Sequence, residues 1–127
     1  MTAAWNSFIN CAMLLNSHPA GLLEVIALPA RLDASTSASI RDALREIVDA
    51  GSVWLLLDVS AVDFIDSSGL SVFISVLKYV RSRNGDVALF GVRTPVRTLL
   101  ELTRVHRVLE VYDDETSACE IFGRVGQ

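Results

Sequence analysis

Residues 53–69 read Val53-Trp54-Leu55-Leu56-Leu57-Asp58-Val59-Ser60-Ala61-Val62-Asp63-Phe64-Ile65-Asp66-Ser67-Ser68-Gly69. The run 53–59 is continuously apolar apart from Asp58 and has the length of a strand. Such a run predicts a central strand covered on both faces. A loop with three carboxylates follows. It opens a helix at Asp66-Ser67-Ser68-Gly69, which puts two hydroxyls where backbone N–H groups have no partner inside the helix. The turn is therefore a candidate phosphoserine switch.

Outward from this stretch, strands and helices alternate. Residues 8–15 are expected to form a first strand, residues 16–21 are turn-rich, and residues 22–28 form a second strand, the two pairing as a hairpin. Asp33, Ser35 and Thr36 are possible N-caps for a helix whose apolar face is Ile40, Leu44, Ile47 and Val48, stopped at Gly51. The helix from Ser67 ends by Asn84-Gly85. Residues 87–91 are a short strand. Thr94-Pro95 starts a helix with proline in the first turn. Residues 108–112 are a last strand, and an acid-led helix runs from 113 to 123. The order β-β-α-β-α-β-α-β-α predicts an α/β fold, a small mixed sheet with helices packed on it and its later strands parallel. One domain spans residues 1–127, with a core over about residues 8–123.

Composition narrows the function classes. The chain has 127 residues, 51% of them hydrophobic, and a mean hydropathy of +0.42, which argues for a packed core rather than disorder. No apolar run approaches the roughly 20 residues of a membrane span. No Lys or Arg precedes Arg31, whereas a secretory leader needs a positive start, so the expected location is cytoplasmic. Net charge is −4 and the pI is about 5.0, which disfavours a nucleic-acid partner. Cys11 and Cys119 read as free thiols. Lys78 is the only lysine. The short clusters Arg81-Ser82-Arg83 and 104–107 read as solvated helix ends.

The serine turn has two readings. In the plain one, Asp66 or Ser67 caps the helix, worth about 1 kcal/mol, and the hydroxyls do nothing more. Two features favour a switch. Gly69 sits in the first turn, where Ala would be better by about 1 kcal/mol; glycine there removes a side chain beside the hydroxyls and lets another surface approach closely. The helix also carries two apolar stripes: Leu70, Phe73, Ile74 and Leu77 on one side, and Val72, Val76 and Tyr79 on the other. Either a neighbouring helix covers the second stripe, or it remains exposed as a partner surface. A phosphate on one of the serines would add about −1.5 to −2 charges, tolerated by the helix N-terminus and opposed by Asp66 and Asp63.

Other chemistries fit less well. Asp58, Asp63 and Asp66 could be read as a metal or phospho-aspartate cluster, but the lysine such a site needs near the end of a late strand is missing, since Lys78 lies inside a helix. Two His and two Cys form no zinc spacing. Neither His18 nor His106 pairs with the serines in sequence, and no nucleophile elbow or phosphate-binding glycine loop occurs.

Leu57-Asp58-Val59-Ser60, Val62 and Phe64-Ile65-Asp66-Ser67-Ser68-Gly69-Leu70, with Leu32-Asp33 after the second strand, resemble the STAS domain, and more narrowly the bacterial anti-sigma-factor antagonists. The resemblance covers about residues 14–122. It implies a non-enzymatic module that needs no cofactor. Such a module binds an anti-sigma factor that is also a serine kinase. Phosphorylation of the second serine of the turn, here Ser68, ends binding, and a metal-dependent serine phosphatase restores it. Asp66 matches the acidic neighbour of the acceptor, with Ser67 and Gly69 flanking. Asp33, Asp63, Val72 and Val76 are the expected partner-binding residues. The family often has Gly-Glu before the Leu-Asp pair, where this chain has Ala30-Arg31, and the segment before residue 8 extends past the usual start. A scaffold subunit of a large STAS sensory assembly and a small enzyme or nucleotide binder are the rival readings.

Overall fold

The computed structural model describes residues 16–20 and 23–125. In chain order these form β1 (Asn16–Ala20), β2 (Leu23–Ala27), β3 (Arg31–Leu32), α1 (Ser37–Asp49), β4 (Trp54–Asp58), β5 (Phe64–Ile65), α2 (Ser67–Arg81), β6 (Asp86–Phe90), α3 (Thr94–Thr103), a 3-10 turn (Val105–Arg107), β7 (Glu110–Tyr112) and α4 (Glu115–Val125). The main sheet runs β1-β2-β4-β6-β7. β1 is antiparallel to β2, and the pairs β2–β4, β4–β6 and β6–β7 are parallel. The expected mixed α/β architecture is thus the observed one.

β4 is central, and Leu55, Leu56 and Leu57 are fully buried. Successive strand residues point to opposite faces, so an unbroken apolar run requires cover on both. Leu55 and Leu57 pack with Ile26, Leu89 and the apolar sides of α1, α2 and α3. Leu56 faces the other way, with Leu23, Val25, Ala88 and Phe90, beneath Ala118 and Phe122 of α4. Gly51 stops α1 with φ 119°, a conformation side chains other than glycine rarely adopt.

Several expectations shift. The strand expected over 8–15 lies outside the described residues. The stretch read as turn-rich instead forms β1, with Ala20 opposite Leu23. Pro19 is tolerated because, among the described residues, β1 lies at the edge of the sheet. The last strand begins at Glu110 rather than at 108, because the 3-10 turn comes first. Two short strands were not expected. β3 and β5 form a separate parallel pair, Arg31 opposite Phe64 and Leu32 opposite Ile65, and this pair carries the chain into the serine turn. Among the described residues no helix is long and apolar enough to cross a membrane.

Candidate partner-binding site

The small β3–β5 pair fixes the start of α2. The Asp66 N–H donates to the Leu32 carbonyl (3.2 Å), which holds Asp66 in extended backbone, φ −124° and ψ −168°. From there its Oδ1 accepts from the N–H groups of Ser68 (2.8 Å) and Gly69 (3.2 Å). Asp66 is therefore the N-cap. Ser67 is the first helical residue and is exposed, and Ser68, the second, is partly exposed.

The chain contains three turns of the form Asp-x-Ser at this end of the fold. In two of them the serine hydroxyl is held: Ser35 Oγ donates to Asp33 Oδ1 and Ser60 Oγ to Asp58 Oδ1, each at 2.6 Å. In the third, Asp66 takes only backbone donors. Among the described residues nothing holds the Ser67 or Ser68 hydroxyl. The cap also occupies two first-turn N–H groups. An anion on Ser68 Oγ would meet the Asp66 carboxylate rather than a set of vacant donors, so its charge would be directed outward.

Gly69 acts inward. It is buried, and a Cβ placed on it would lie 2.5 Å from the Leu32 carbonyl oxygen and 2.9 Å from Ile65 Cγ1. The surface that approaches closely is the chain's own β3–β5 pair, which corrects the expectation that Gly69 opens the turn to a partner.

Val72 and Val76 are corrected as well. Each is 1% exposed, because α1 covers the second stripe. Tyr79 Oη donates to Asp49 Oδ1 (2.6 Å), Arg45 donates to Ser75 Oγ (3.2 Å), and the Arg45 guanidinium lies 5.1 Å from the Tyr79 ring centre. Neither valine can present its side chain to another protein. The accessible face of α2 carries Ser67, Ser71 and Lys78, with Ile74 half-buried.

Beside the turn, Asp63 is exposed and its N–H donates to the Ala30 carbonyl (2.9 Å). Asp33 is engaged within its own loop. The Ser35 hydroxyl and N–H donate to it, and Arg31 Nε lies 3.1 Å from its Oδ2. The Ser35 hydroxyl bond is the main reason its pKa falls below the ordinary 3.8. Arg31 also stacks over Phe64, 4.4 Å from the ring centre, and Phe64 is 40% exposed. Sequence reasoning missed this Arg31–Phe64 pair, since it depends on the β3–β5 register.

Asp58, Asp63 and Asp66 do not converge: among the described residues no His, Cys, Asp or Glu group has metal-holding geometry. His106 Nδ1 lies 3.1 Å from the Leu100 carbonyl. Cys119 is a free thiol, and burial raises its pKa.

A five-stranded mixed sheet covered on both faces, with a capped serine turn leading into its central helix, defines the class of fold. The sequence pattern of the STAS domain matches residues 20–118, and the chain belongs to that family. An anti-sigma F factor antagonist of Paenibacillus polymyxa is 29% identical over 102 residues, 80% of this chain and 86% of that protein. An anti-sigma-B factor antagonist of Listeria monocytogenes is 29% identical over 90 residues, 71% of this chain and 79% of that protein. The crystal structure of a Thermotoga maritima protein superposes with a TM-score of 0.83 at 23% identity, covering 91% of this chain and 99% of that one, a likeness that concerns the fold.

Proposed function

We propose that this chain is an anti-sigma-factor antagonist, a non-catalytic module that binds an anti-sigma factor with serine kinase activity and is released by phosphorylation of Ser68. A serine phosphatase resets it, and the whole chain acts as one domain without a cofactor. The observation that carries this reading is the Ser68 hydroxyl, partly exposed and unheld while its counterparts at Ser35 and Ser60 are tied to carboxylates. The STAS relatives with antagonist names support it.

The chemistry is a phosphoryl transfer. Ser68 Oγ attacks the γ-phosphorus of ATP, the hydroxyl proton is lost to a base on the kinase, and ADP leaves. Hydrolysis by the phosphatase returns the hydroxyl and inorganic phosphate. A phosphate adds about −1.5 to −2 charges beside Asp66 and Asp63. A partner surface fitted to a neutral hydroxyl then faces a dianion that must be desolvated, at a cost of several kcal/mol. Binding ends by repulsion at the interface, without refolding.

The test is to incubate the protein with each anti-sigma kinase of the source genome and ATP, then map the modified residue. Modification is expected at Ser68 and is expected to vanish in Ser68→Ala. Ser68→Asp is expected to weaken the kinase complex while moving the thermal midpoint by only a few degrees. Modification at another residue, or its persistence in Ser68→Ala, would overturn the reading.

A further inference from the structure

The strands β3 and β5 alternate in step. Leu32 is fully buried and Ile65 packs on the core, so their neighbours Arg31 and Phe64 point to solvent. The Arg31 side chain is 60% exposed, and Phe64 is among the few large apolar residues left exposed. The backbone stays extended through Asp66, which returns to the side of Phe64 about 7 Å farther along. The Asp66 carboxylate in turn accepts from the Ser68 N–H at 2.8 Å. Arg31, Phe64, Asp66 and the serine turn therefore share one face.

What this face leaves unsatisfied indicates what it takes. Its acids are engaged by the chain's own donors. Asp66 Oδ1 holds two first-turn N–H groups. Asp33, whose side chain is 15% exposed, takes the Ser35 hydroxyl and N–H. Arg31 gives Asp33 only its Nε, at 3.1 Å, and the donors of both terminal nitrogens have no partner among the described residues. Asp33 thus offsets the charge of Arg31 but not its hydrogen-bonding capacity, and recognition here rests on donor geometry rather than on net charge. The Nε bond and the Phe64 ring, 4.4 Å from the guanidinium carbon, fix the plane of the group. The free fork is aimed before a ligand arrives, and a planar fork matches the paired oxygens of a carboxylate. Asp63, exposed one residue before Phe64, opposes a second acid, so a run of acidic residues fits poorly.

We propose that Arg31 and Phe64 select the partner. The protein that reads Ser68 places a single Asp or Glu on the free edge of Arg31 and an apolar side chain on the exposed part of the Phe64 ring. The proposal rests on the functional reading above and adds the partner's chemistry. Arginine and aromatic side chains carry much of the energy at protein interfaces, and a fork held in place loses little freedom on binding. A phosphate on Ser68 puts its charge on the same face as the partner's acid. Phosphorylation therefore weakens this contact together with the one at the hydroxyl.

The test uses the full chain and the kinase that modifies Ser68. Arg31→Ala and Phe64→Ala are each expected to weaken the complex about tenfold. Arg31→Lys keeps the charge and loses the fork, and is expected to recover little of the affinity. Each exposed Asp and Glu of the kinase is then changed to Ala, against the wild-type chain and against Arg31→Ala. One of them is expected to weaken the wild-type complex and to have no further effect with Arg31→Ala, whereas mere damage to the Asp33 loop would leave every kinase variant with its full effect. Arg31→Glu paired with Arg at that kinase position is expected to restore binding. A kinase that modifies Ser68 yet binds Arg31→Ala and Phe64→Ala as tightly as the wild type overturns the proposal while leaving Ser68 in place. Coupling of Arg31 to no carboxylate, or full affinity in Arg31→Lys, overturns it as well. Failure of every kinase to modify Ser68 removes the functional reading and this proposal together.

Discussion

The position of a Cβ on Gly69 falls 2.5 Å from the carbonyl oxygen of Leu32, so the first turn of α2 rests directly on the backbone of β3. This contact couples the serine turn to the small strand pair that carries Arg31 and Phe64. Gly69→Ala isolates it. Ala favours a helix by about 1 kcal/mol, but the atom it meets is a main-chain oxygen that no rotamer change can move. The clash dominates, and the expected net loss is about 2 kcal/mol, read from the urea midpoint at unchanged slope. A gain in stability would show that α2 slides freely over β3.

Asp66 makes a different contribution, which Asp66→Ala and Asp66→Asn separate. Alanine removes the acceptor for the Ser68 and Gly69 N–H groups and is expected to lower stability by about 1 kcal/mol, roughly 4 °C in the thermal midpoint. Asparagine keeps an acceptor oxygen and should retain most of that. It also removes the negative charge nearest Ser68, so a phosphate there meets less opposition, and Ser68→Asp should weaken kinase binding less when combined with Asp66→Asn. Equal effects of the Ala and Asn changes on stability would argue against side-chain capping.

The elements read correctly in advance are those whose signal is local. Leu55, Leu56 and Leu57 announce a strand covered on both faces, and Asp66 announces a helix start, because a continuous apolar run and a cap each need only a few neighbouring residues. The misreadings concern what lies across the fold. Val72 and Val76 form a stripe that is either exposed or covered, and the packing of α1, with its Tyr79–Asp49 and Arg45–Ser75 contacts, decides between them. Gly69 signals a close approach but not the side from which it comes. β3 and β5 have two residues each, too few to show alternation. Pro19 marks a turn in sequence and proves compatible with an edge strand.

Acid should loosen the loop before α1 as Asp33 takes up its proton. In the folded chain the Asp33 pKa lies below its ordinary 3.8, chiefly through the Ser35 hydroxyl bond, with Arg31 adding to the shift. A depressed carboxylate stabilises the fold above its unfolded pKa, and the contribution is lost as pH falls below 3.8 through the folded value. The thermal midpoint of Asp33→Asn should therefore lie furthest below the wild type near neutral pH, and the two should converge in acid below 3.8. A gap that stays constant with pH would mean that the ionised form of Asp33 contributes nothing.

Alkali tests the clasp between α1 and α2. The chain has two tyrosines, and both phenols are held above their ordinary pKa of 10.0. Tyr79 is raised first by its hydrogen bond to Asp49, and Tyr112 first by burial. For a phenol a raised pKa means that the neutral form is favoured in the fold, so the contribution is complete below pH 10.0 and disappears as pH climbs through the folded value. Tyrosinate absorbance should accordingly appear later than in the unfolded chain. Asp49→Asn removes the charged acceptor, and it should move one of the two phenols back toward 10.0 and leave the other in place. That variant also loosens the cover over Val76, so amide hydrogens in the middle of α2 should exchange faster than in the wild type while those of β4 do not. Unchanged exchange in α2 would show that packing from α1 holds the stripe closed without the Tyr79 bond.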